Sequence, residues 1–386
     1  MPSNCLATQL PPELLLKIFR LVRTSPEALS SCTDERKLAA LALVCRGWRA
    51  PAQEELYRTL RLPFEWASGP RRRKRFHHPN VVELVRVVEV DCSIWKWGQE
   101  EPTSGLDLTK LAAVRVLRLF ADDLSPLPFK AVVNSFSPLV DRLVALSVDK
   151  EDDKHFRAFL SRLSALTSYT ETGLHYPFLG SYEHAPPPTF QLHALSLAGY
   201  GTTRYFSWLT EFSASFLCHL SLATFLDCPT PSYNLSSFSN LSHLTVVLDA
   251  LEGRNSLRST LSSASTLPNL RSLHIHQNLW LLHPPALSQT PRLGSFLSSL
   301  APSIRTLELD NYLFRPKELV EVLSKPSWCP NLQHLVVGHL RLGAGQTAKQ
   351  EKQVVQVKAE ERGVEVCWWA EETTKRRKGR KGKAEV

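Results

Sequence analysis

The stretch that decides the fold is Leu217-Cys-His-Leu-Ser-Leu222, because the same six-residue pattern returns along most of the chain. The pattern places apolar residues at its first, fourth and sixth positions. Ten copies begin at residues 85, 114, 143, 166, 192, 217, 241, 270, 304 and 332, with spacings of 23 to 34 residues. The copy Leu166-Thr-Ser-Tyr-Thr-Glu171 is the weakest, since its sixth residue is charged. Ten copies in series indicate a repeat architecture rather than a chance run of leucines.

Each copy predicts a β-strand whose side chains alternate between two faces. Positions four and six are expected to be buried, and positions three, five and seven to face outward. Segments with helical spacing lie between the strands, at 130–136, 156–163, 293–300 and 317–323. One strand–helix unit can bury its apolar side only against neighbouring units, so the pattern predicts an α/β solenoid with a parallel sheet.

These units resemble leucine-rich repeats, which are about 20–29 residues long and carry this strand pattern. The resemblance implies a horseshoe whose parallel strands line the concave face. The asparagine expected three residues after the last strand leucine is present as Asn278, with Asp122 and Asp249 as partial substitutes. Most copies have neither residue, so we expect an irregular horseshoe.

A helical pattern precedes the repeats in Leu10-Pro-Pro-Glu-Leu-Leu-Leu-Lys-Ile-Phe19. Pro12 suits the first position of a helix, where no N–H is needed, and Glu13 is favoured at the same helix end. Leu14, Ile18 and Leu21 then fall on one face of the predicted helix, while Leu15 and Phe19 fall on the adjacent face.

A second helix is predicted to begin near Thr33 or Asp34 and to include Leu41-Ala-Leu-Val-Cys-Arg-Gly-Trp48. Helical spacing puts Leu38, Leu41, Cys45 and Trp48 on one of its faces. Two short helices cannot enclose this much apolar surface in each other. The pattern therefore predicts a docking module that binds a partner.

Both stretches resemble the F-box, the motif by which substrate receptors dock onto the Skp-type adaptor of cullin–RING ubiquitin ligases. The resemblance implies that the adaptor contact is formed or supported by Leu10, Pro11, Leu14, Leu15, Ile18, Phe19, Leu41, Val44, Cys45 and Trp48. The connection from Arg23 to Lys37 is longer than usual, a fungal-like feature. An ordinary amphipathic hairpin is the alternative interpretation, and Trp48 could pack inside the module instead of contacting the adaptor.

Composition limits the other classes of function. The chain has 386 residues, a formal net charge of +9 and eight cysteines with no Cys-x-x-Cys pair, so free thiols in a reducing compartment are expected. The runs 71–75 and 375–383 hold five and seven positive charges, and without them the net charge of +9 would become −3. A basic nucleic-acid-binding face is therefore not indicated.

No apolar run is long enough for a membrane span, and residues 1–5 do not open a secretory signal.

The outward strand positions are the expected binding surface for a protein substrate. They include histidines and an acidic pair: His219, His243, His274, His276, Glu308, Asp310 and His334. A merely solvated face is the alternative. His274 and His276 could chelate a metal with Asp310, but metal sites usually need three or four ligands in fixed geometry, so no metal and no cofactor are expected.

No catalytic motif is present in the sequence, which predicts a non-enzymatic protein. The predicted organisation is an F-box-like module at 1–62, a basic linker at 63–80, the solenoid at 81–342, a helix with a capping strand at 343–370, and a basic tail at 371–386. The resemblance implies a substrate receptor that binds a Skp-type adaptor, and through it a cullin. The alternatives are a repeat scaffold without ligase association and nucleic-acid binding through the tail. We expect a cytoplasmic or nuclear location, with 375–383 as a nuclear localisation signal or a solubilising tail.

Overall fold

The computed structural model describes residues 10–23, 37–62, 79–91, 108–120, 134–148, 154–172, 186–198, 203–224, 233–248, 260, 262–277, 297–298, 300–309, 316–338 and 346–368. The chain divides into two compact units, Met1–Asp149 and Lys150–Val386. This division falls inside the range predicted as one solenoid. The predicted domain boundaries stay a prediction, and the runs 71–75 and 375–383 lie outside the described residues.

Two helices open the first unit, α1 at Pro12–Arg23 and α2 at Arg46–Tyr57. The helix predicted to begin at Pro12 is confirmed. The second predicted helix is wrong in its continuity, because residues 37–41 are helical, residues 42–44 form a turn and Cys45 is extended. Cys45 is the extended N-cap of α2, and its carbonyl accepts from the N–H of Trp48 at 3.2 Å, so a new helix starts after the turn.

Four parallel strands follow in the first unit. They are β1 at Thr59–Leu62, β2 at Val87–Asp91, β3 at Val116–Phe120 and β4 at Ala145–Val148, with the short helix α3 at Pro79–Val82 and 3-10 turns at Leu108–Lys110 and Ser137–Arg142. Strand β1 lies inside the range predicted as purely helical. Its Arg61 is in register with Glu89, which is in register with Arg118. Both guanidinium groups lie 2.8 Å from the Glu89 carboxylate, so one carboxylate links three strands and the two arginines share its charge.

Eight parallel strands form the second unit, in chain order. They are β5 at Ser168–Glu171, β6 at Ala194–Ala198, β7 at His219–Thr224, β8 at His243–Leu248, β9 at Ser272–Gln277, β10 at Thr306–Leu309, β11 at His334–Val337 and β12 at Glu365–Trp368. All ten predicted strands are confirmed across the two units, and β12 confirms the predicted capping strand. The fourth pattern position is buried in every copy.

The same backbone contact joins successive strands. The carbonyl of His193 accepts from the N–H groups of both Cys218 and His219, at 2.9 and 3.0 Å, and that of Cys218 accepts from Ser242 and His243 at the same two distances. Where one carbonyl bridges two N–H groups in this way, the strand begins in a fixed register with the preceding one, whereas β12 begins with a single such bond, from Glu365 to Gln333. The outward residues of neighbouring strands therefore line up in rows.

Helices of the second unit lie between strands. They are α4 at Lys154–Leu160, α5 at Thr203–Thr210, α6 at Pro316–Leu323 and α7 at Gln346–Glu360. These helices confirm the segments predicted near 156–163 and 317–323, and α7 confirms the helix predicted near the end of the chain. Gly363 ends α7 in the left-handed region, with φ of 69°. No described helix combines the length and the apolar character that a membrane span requires.

Candidate functional site

One face of α1 is exposed although it is apolar. Leu14, Ile18 and Leu21 are 48%, 42% and 68% exposed. Leu15 and Phe19, on the adjacent face, are buried. Helix α1 therefore anchors the module with one side and presents large aliphatic side chains with the other, an arrangement typical of an interaction surface.

The turn before α2 adds two more exposed apolar side chains. Leu43 is 86% exposed and Val44 59% exposed. The N–H groups of these residues bond to the carbonyls of Ala40 and Leu41, at 3.0 and 3.2 Å, which holds the turn tight. We refer to Leu14, Ile18, Leu21, Leu43 and Val44 as the apolar set.

A small core supports the apolar set from behind. Leu15, Phe19, Leu38 and Ala52 form its buried part, and Leu10, Leu41 and Trp48 are among the residues packed against it. The Trp48 ring meets the Phe19 ring edge-on, with 5.6 Å between centroids. This geometry is favourable for aromatic pairs and fixes α1 against the start of α2.

A buried carboxylate also links the two helices. Glu55 of α2 is 1% exposed, and its Oε1 accepts from Nε of Arg20 on α1 at 2.7 Å. The same oxygen accepts from Arg58 at 3.2 Å. Two guanidinium donors at one oxygen compensate for the desolvation of the carboxylate, so the pair can hold the helices in a fixed orientation.

The ten residues predicted for the adaptor contact thus divide by exposure. Pro11, Leu14, Ile18 and Val44 are exposed, Leu10, Leu41, Cys45 and Trp48 are half-buried, and Leu15 and Phe19 are buried. The structure places the buried ones under the surface rather than on it. The predicted set omitted Leu21 and Leu43. The helical spacing of Leu21 with Leu14 and Ile18 could have identified Leu21 as part of the surface. No periodicity marks Leu43, which lies in a turn.

The two helices, the core between them and the exposed apolar face form a small domain, which can be compared with known domain families. Residues 7–63 match one family model. It is the F-box-like family. The F-box-like domain thus extends through β1 and ends one residue beyond it. No curated protein matches the chain significantly.

Beyond the F-box-like domain, outward residues of the second unit form rows across its strands. His219 on β7 is in register with His243 on β8. Their rings stack with 4.3 Å between centroids. Burial lowers the pKa of His243 below its ordinary value of 6.5, and the positive charges of His219, His274 and Arg271 lower the pKa further. The neutral form of the His243 ring is therefore favoured on this exposed face.

The next two strands bring three more of the predicted residues together. His274 on β9 is in register with Glu308 on β10. Nδ1 of His274 lies 2.9 Å from Oε2 of Glu308, and Nε2 of His276 lies 3.9 Å from Oε1 of the same carboxylate. All three side chains are half-buried. We refer to His274, His276 and Glu308 as the His-Glu-His cluster.

The remaining predicted residues lie elsewhere. His334 begins β11, and its Nδ1 lies 3.0 Å from a carboxylate oxygen of Glu365 on β12, so it does not join the cluster. Asp310 lies outside the described residues, as does Asn278. The sequence did not single out Glu365 or Ser272. Ser272 is buried, and its hydroxyl lies 2.7 Å from Nε2 of His274.

Proposed function

We propose that this chain is the substrate-recognition subunit of a Skp–cullin–F-box type ubiquitin ligase. The observation that carries the proposal is the F-box-like match at residues 7–63 together with the exposed apolar face of Leu14, Ile18 and Leu21 on α1. F-box domains generally bind Skp-type adaptors. Large apolar side chains that are exposed in the free protein and buried on binding supply most of the energy of such an interface.

The proposed mechanism is proximity rather than bond chemistry. The F-box-like domain binds the adaptor, the adaptor binds a cullin, and the cullin recruits a ubiquitin-charged enzyme. The receptor holds its substrate near that enzyme and so raises the effective concentration of the reacting groups. No enzymatic activity of the receptor itself is required.

The repeats would supply the substrate-binding surface, as an irregular leucine-rich-repeat solenoid. Support for this part of the proposal comes from the parallel strands and the rows of polar side chains on them. The row of Ser221, Thr245, His274 and Glu308 offers hydrogen-bond donors, acceptors and one negative charge, and His219 and His243 lie in the neighbouring row. A polypeptide segment with polar and basic groups is the ligand that this chemistry fits. The proposed location is the cytoplasm or the nucleus.

Binding of the full chain to a purified Skp-type adaptor tests the proposal. Biolayer interferometry should show a dissociation constant in the micromolar range or tighter. The double variant Leu14→Ala/Ile18→Ala should weaken binding by at least about 30-fold, because an anchor of this kind commonly contributes about 2 kcal/mol. Circular dichroism should be unchanged, since both side chains are exposed.

Val354→Ala/Val357→Ala is the matched control, because these residues are also exposed aliphatic side chains on a helix, but in the second unit. Its adaptor affinity should equal that of the unchanged chain. If the folded, unchanged chain does not bind the adaptor, the ligase role is wrong, and the alternative of a repeat scaffold with an F-box-like domain replaces it.

A further inference from the structure

The His-Glu-His cluster has the donor atoms of a metal site. His274 and His276 alternate along β9 and therefore share a face. Glu308 approaches both from the neighbouring strand. The Nδ1 atom of His274, the Nε2 atom of His276 and a carboxylate oxygen of Glu308 are the donors, and the ligand atoms of the cluster lie within 4.8 Å of one another.

These separations are close to those that a tetrahedral ion imposes. Zinc binds imidazole nitrogen at about 2.0–2.1 Å and carboxylate oxygen at about 2.0–2.2 Å, which puts its ligand atoms about 3.3 Å apart. The present distances, 2.9 Å from Nδ1 of His274 to Oε2 of Glu308 and 3.9 Å from Nε2 of His276 to Oε1, lie on either side of that value and reach the two oxygens of one carboxylate. All ligand atoms of the cluster lie within 4.8 Å of one another, so the three side chains have to draw closer together to hold one ion.

Ser272 completes the arrangement around His274. Its hydroxyl lies 2.7 Å from Nε2, the ring nitrogen that does not face Glu308. A hydroxyl both donates and accepts hydrogen bonds, so its oxygen can accept a hydrogen bond from the Nε2–H when Nδ1 binds a metal. Metal-bound histidines usually donate their second N–H in this way, which fixes the tautomer and the ring orientation. Because Ser272 is buried, water competes little for this contact.

The donor set also selects the kind of ion. Two imidazole nitrogens and one carboxylate suit zinc and its neighbours in the first transition row, whereas magnesium and calcium prefer oxygen alone. Three protein ligands leave one tetrahedral position for water or for a ligand from a bound partner. The half-buried side chains leave that position accessible from the outward face of the strands.

We propose that His274, His276 and Glu308 bind one zinc ion that links β9 to β10. The ion replaces the direct contact between His274 and Glu308, and Ser272 orients His274 as a positioning residue. This inference concerns the second unit and is independent of adaptor binding by the F-box-like domain, so either can fail without the other.

Zinc binding to the full chain, produced without a histidine tag and stripped with a chelator, tests the proposal. The chain has 13 histidines and eight cysteines, so the test compares stoichiometries in titrations against a chromogenic zinc indicator. His276→Gln and Glu308→Gln should each bind one zinc ion fewer than the unchanged chain. Ser272→Ala should keep the stoichiometry and weaken this site by about 10- to 100-fold.

His334→Gln is the matched control, because His334 also pairs with a carboxylate on the neighbouring strand but has no second histidine in the described cluster. It should bind as many zinc ions as the unchanged chain. Cobalt should substitute for zinc and give visible absorption without a thiolate charge-transfer band, and Glu308→Gln should lose this absorption. Magnesium should not compete.

Equal zinc stoichiometry in His276→Gln, Glu308→Gln and the unchanged chain would overturn the proposal, as would no zinc binding at all. If a variant fails to fold, the cobalt spectrum of the unchanged chain decides. A spectrum dominated by thiolate ligation would place the metal on cysteines and refute the site. A cobalt spectrum typical of nitrogen and oxygen ligands, present in the unchanged chain and lost in whichever of His276→Gln and Glu308→Gln does fold, would support the site.

Discussion

Trp48 lies at the boundary between the core of the F-box-like domain and its surface. Its ring packs edge-on against the buried Phe19, so truncation removes an aromatic contact. We expect Trp48→Ala to lower the free energy of unfolding of the domain by about 3 kcal/mol, near the lower end for aromatic truncation because Trp48 is only half-buried. Hydrogen exchange of peptides from α1 in the full chain measures this effect.

Arg49→Ala is the control for this substitution, since Arg49 is the exposed neighbour of Trp48. It should leave exchange of α1 unchanged. A Trp48→Ala chain with normal protection of α1 but no adaptor binding would contradict the core role and assign Trp48 to the interface.

His243 is the residue with a testable titration. Its neutral form is favoured by partial burial and by the nearby positive charges, so its pKa lies below 6.5. His219→Ala removes both the stacked ring and one of those charges and should raise the pKa of His243 toward its ordinary value. A titration of the histidine ring protons by NMR measures the shift, and His334→Ala should not produce it.

The sign of the accompanying stability change follows from the same pKa. In the unfolded chain His243 titrates near its ordinary value of 6.5, so below that pH the unfolded state binds more protons than the folded state. The contribution of His243 to the free energy of unfolding is therefore fully present above pH 6.5. It is lost as the pH falls from 6.5 through the lowered pKa of His243. A His219→Ala chain should lose less stability over this acidic range.

At the scale of elements, α1 and α2 depend on one buried carboxylate. Glu55→Gln keeps the size of the side chain but removes the charge that Arg20 and Arg58 share. We expect the free energy of unfolding of the F-box-like domain to fall by about 1.5 kcal/mol, the lower part of the range for hydrogen bonds to charged groups. Hydrogen exchange of α1 and α2 gives the value. Glu54→Gln, at the half-buried neighbouring position, should have little effect, and equal effects of the two changes would refute the proposed link.

The turns between strands contain an asparagine series that differs from the predicted one. Asn269 and Asn331 each precede the first leucine of a repeat, and each Nδ2 donates to a backbone carbonyl of the preceding repeat at 2.9 Å. Ser303 fills the equivalent position and donates to the carbonyl of Leu270, also at 2.9 Å. The resemblance predicted an asparagine after the strand, at Asn278, whereas these contacts lie before the strand. Each side chain satisfies a carbonyl that a loop would leave unpaired.

Strand β5 shows why the weakest copy of the pattern still forms a strand. Its sixth position is Glu171, whose carboxylate accepts from the hydroxyls of Tyr169 and Tyr205, each at 3.1 Å. Burial and the charge of Glu171 raise the pKa of the Tyr233 hydroxyl far above its ordinary value. Tyrosine donors from other positions therefore compensate for a charge at an inward position. The sequence could not show the contact with Tyr205, because that residue lies 34 positions after Glu171.

At the scale of the whole molecule, the second unit ends in a cap. Strand β12 pairs with β11, and Arg362 donates to the carbonyl of Trp328 at 2.6 Å. Ending the chain after Gly338 removes α7 and β12 and leaves β11 as an unpaired edge. Unpaired strand edges invite association between chains, so we expect oligomers in size-exclusion chromatography.

Hydrogen exchange of the same truncated chain should show the largest loss of protection in β11 and a smaller loss in β10, since repeat units are stabilised by their neighbours. A chain that ends after Trp368 keeps β12 and is the control, because it lacks only residues 369–386. It should remain monomeric if the unchanged chain is monomeric. Equal behaviour of the two truncated chains would contradict a capping role for α7 and β12.

The sequence by itself determined the ten repeat strands, their buried fourth position and the helix that begins at Pro12, because apolar spacing is a local property that burial then enforces. It also indicated the F-box-like domain through two motifs in a fixed order. Tertiary structure decided the rest. Whether Phe19 is buried and Leu43 exposed depends on how α1 and α2 pack, and the partner of His274 depends on strand register. Glu308 faces His274 because parallel register places residues directly opposite each other, a relation between segments that no local pattern contains.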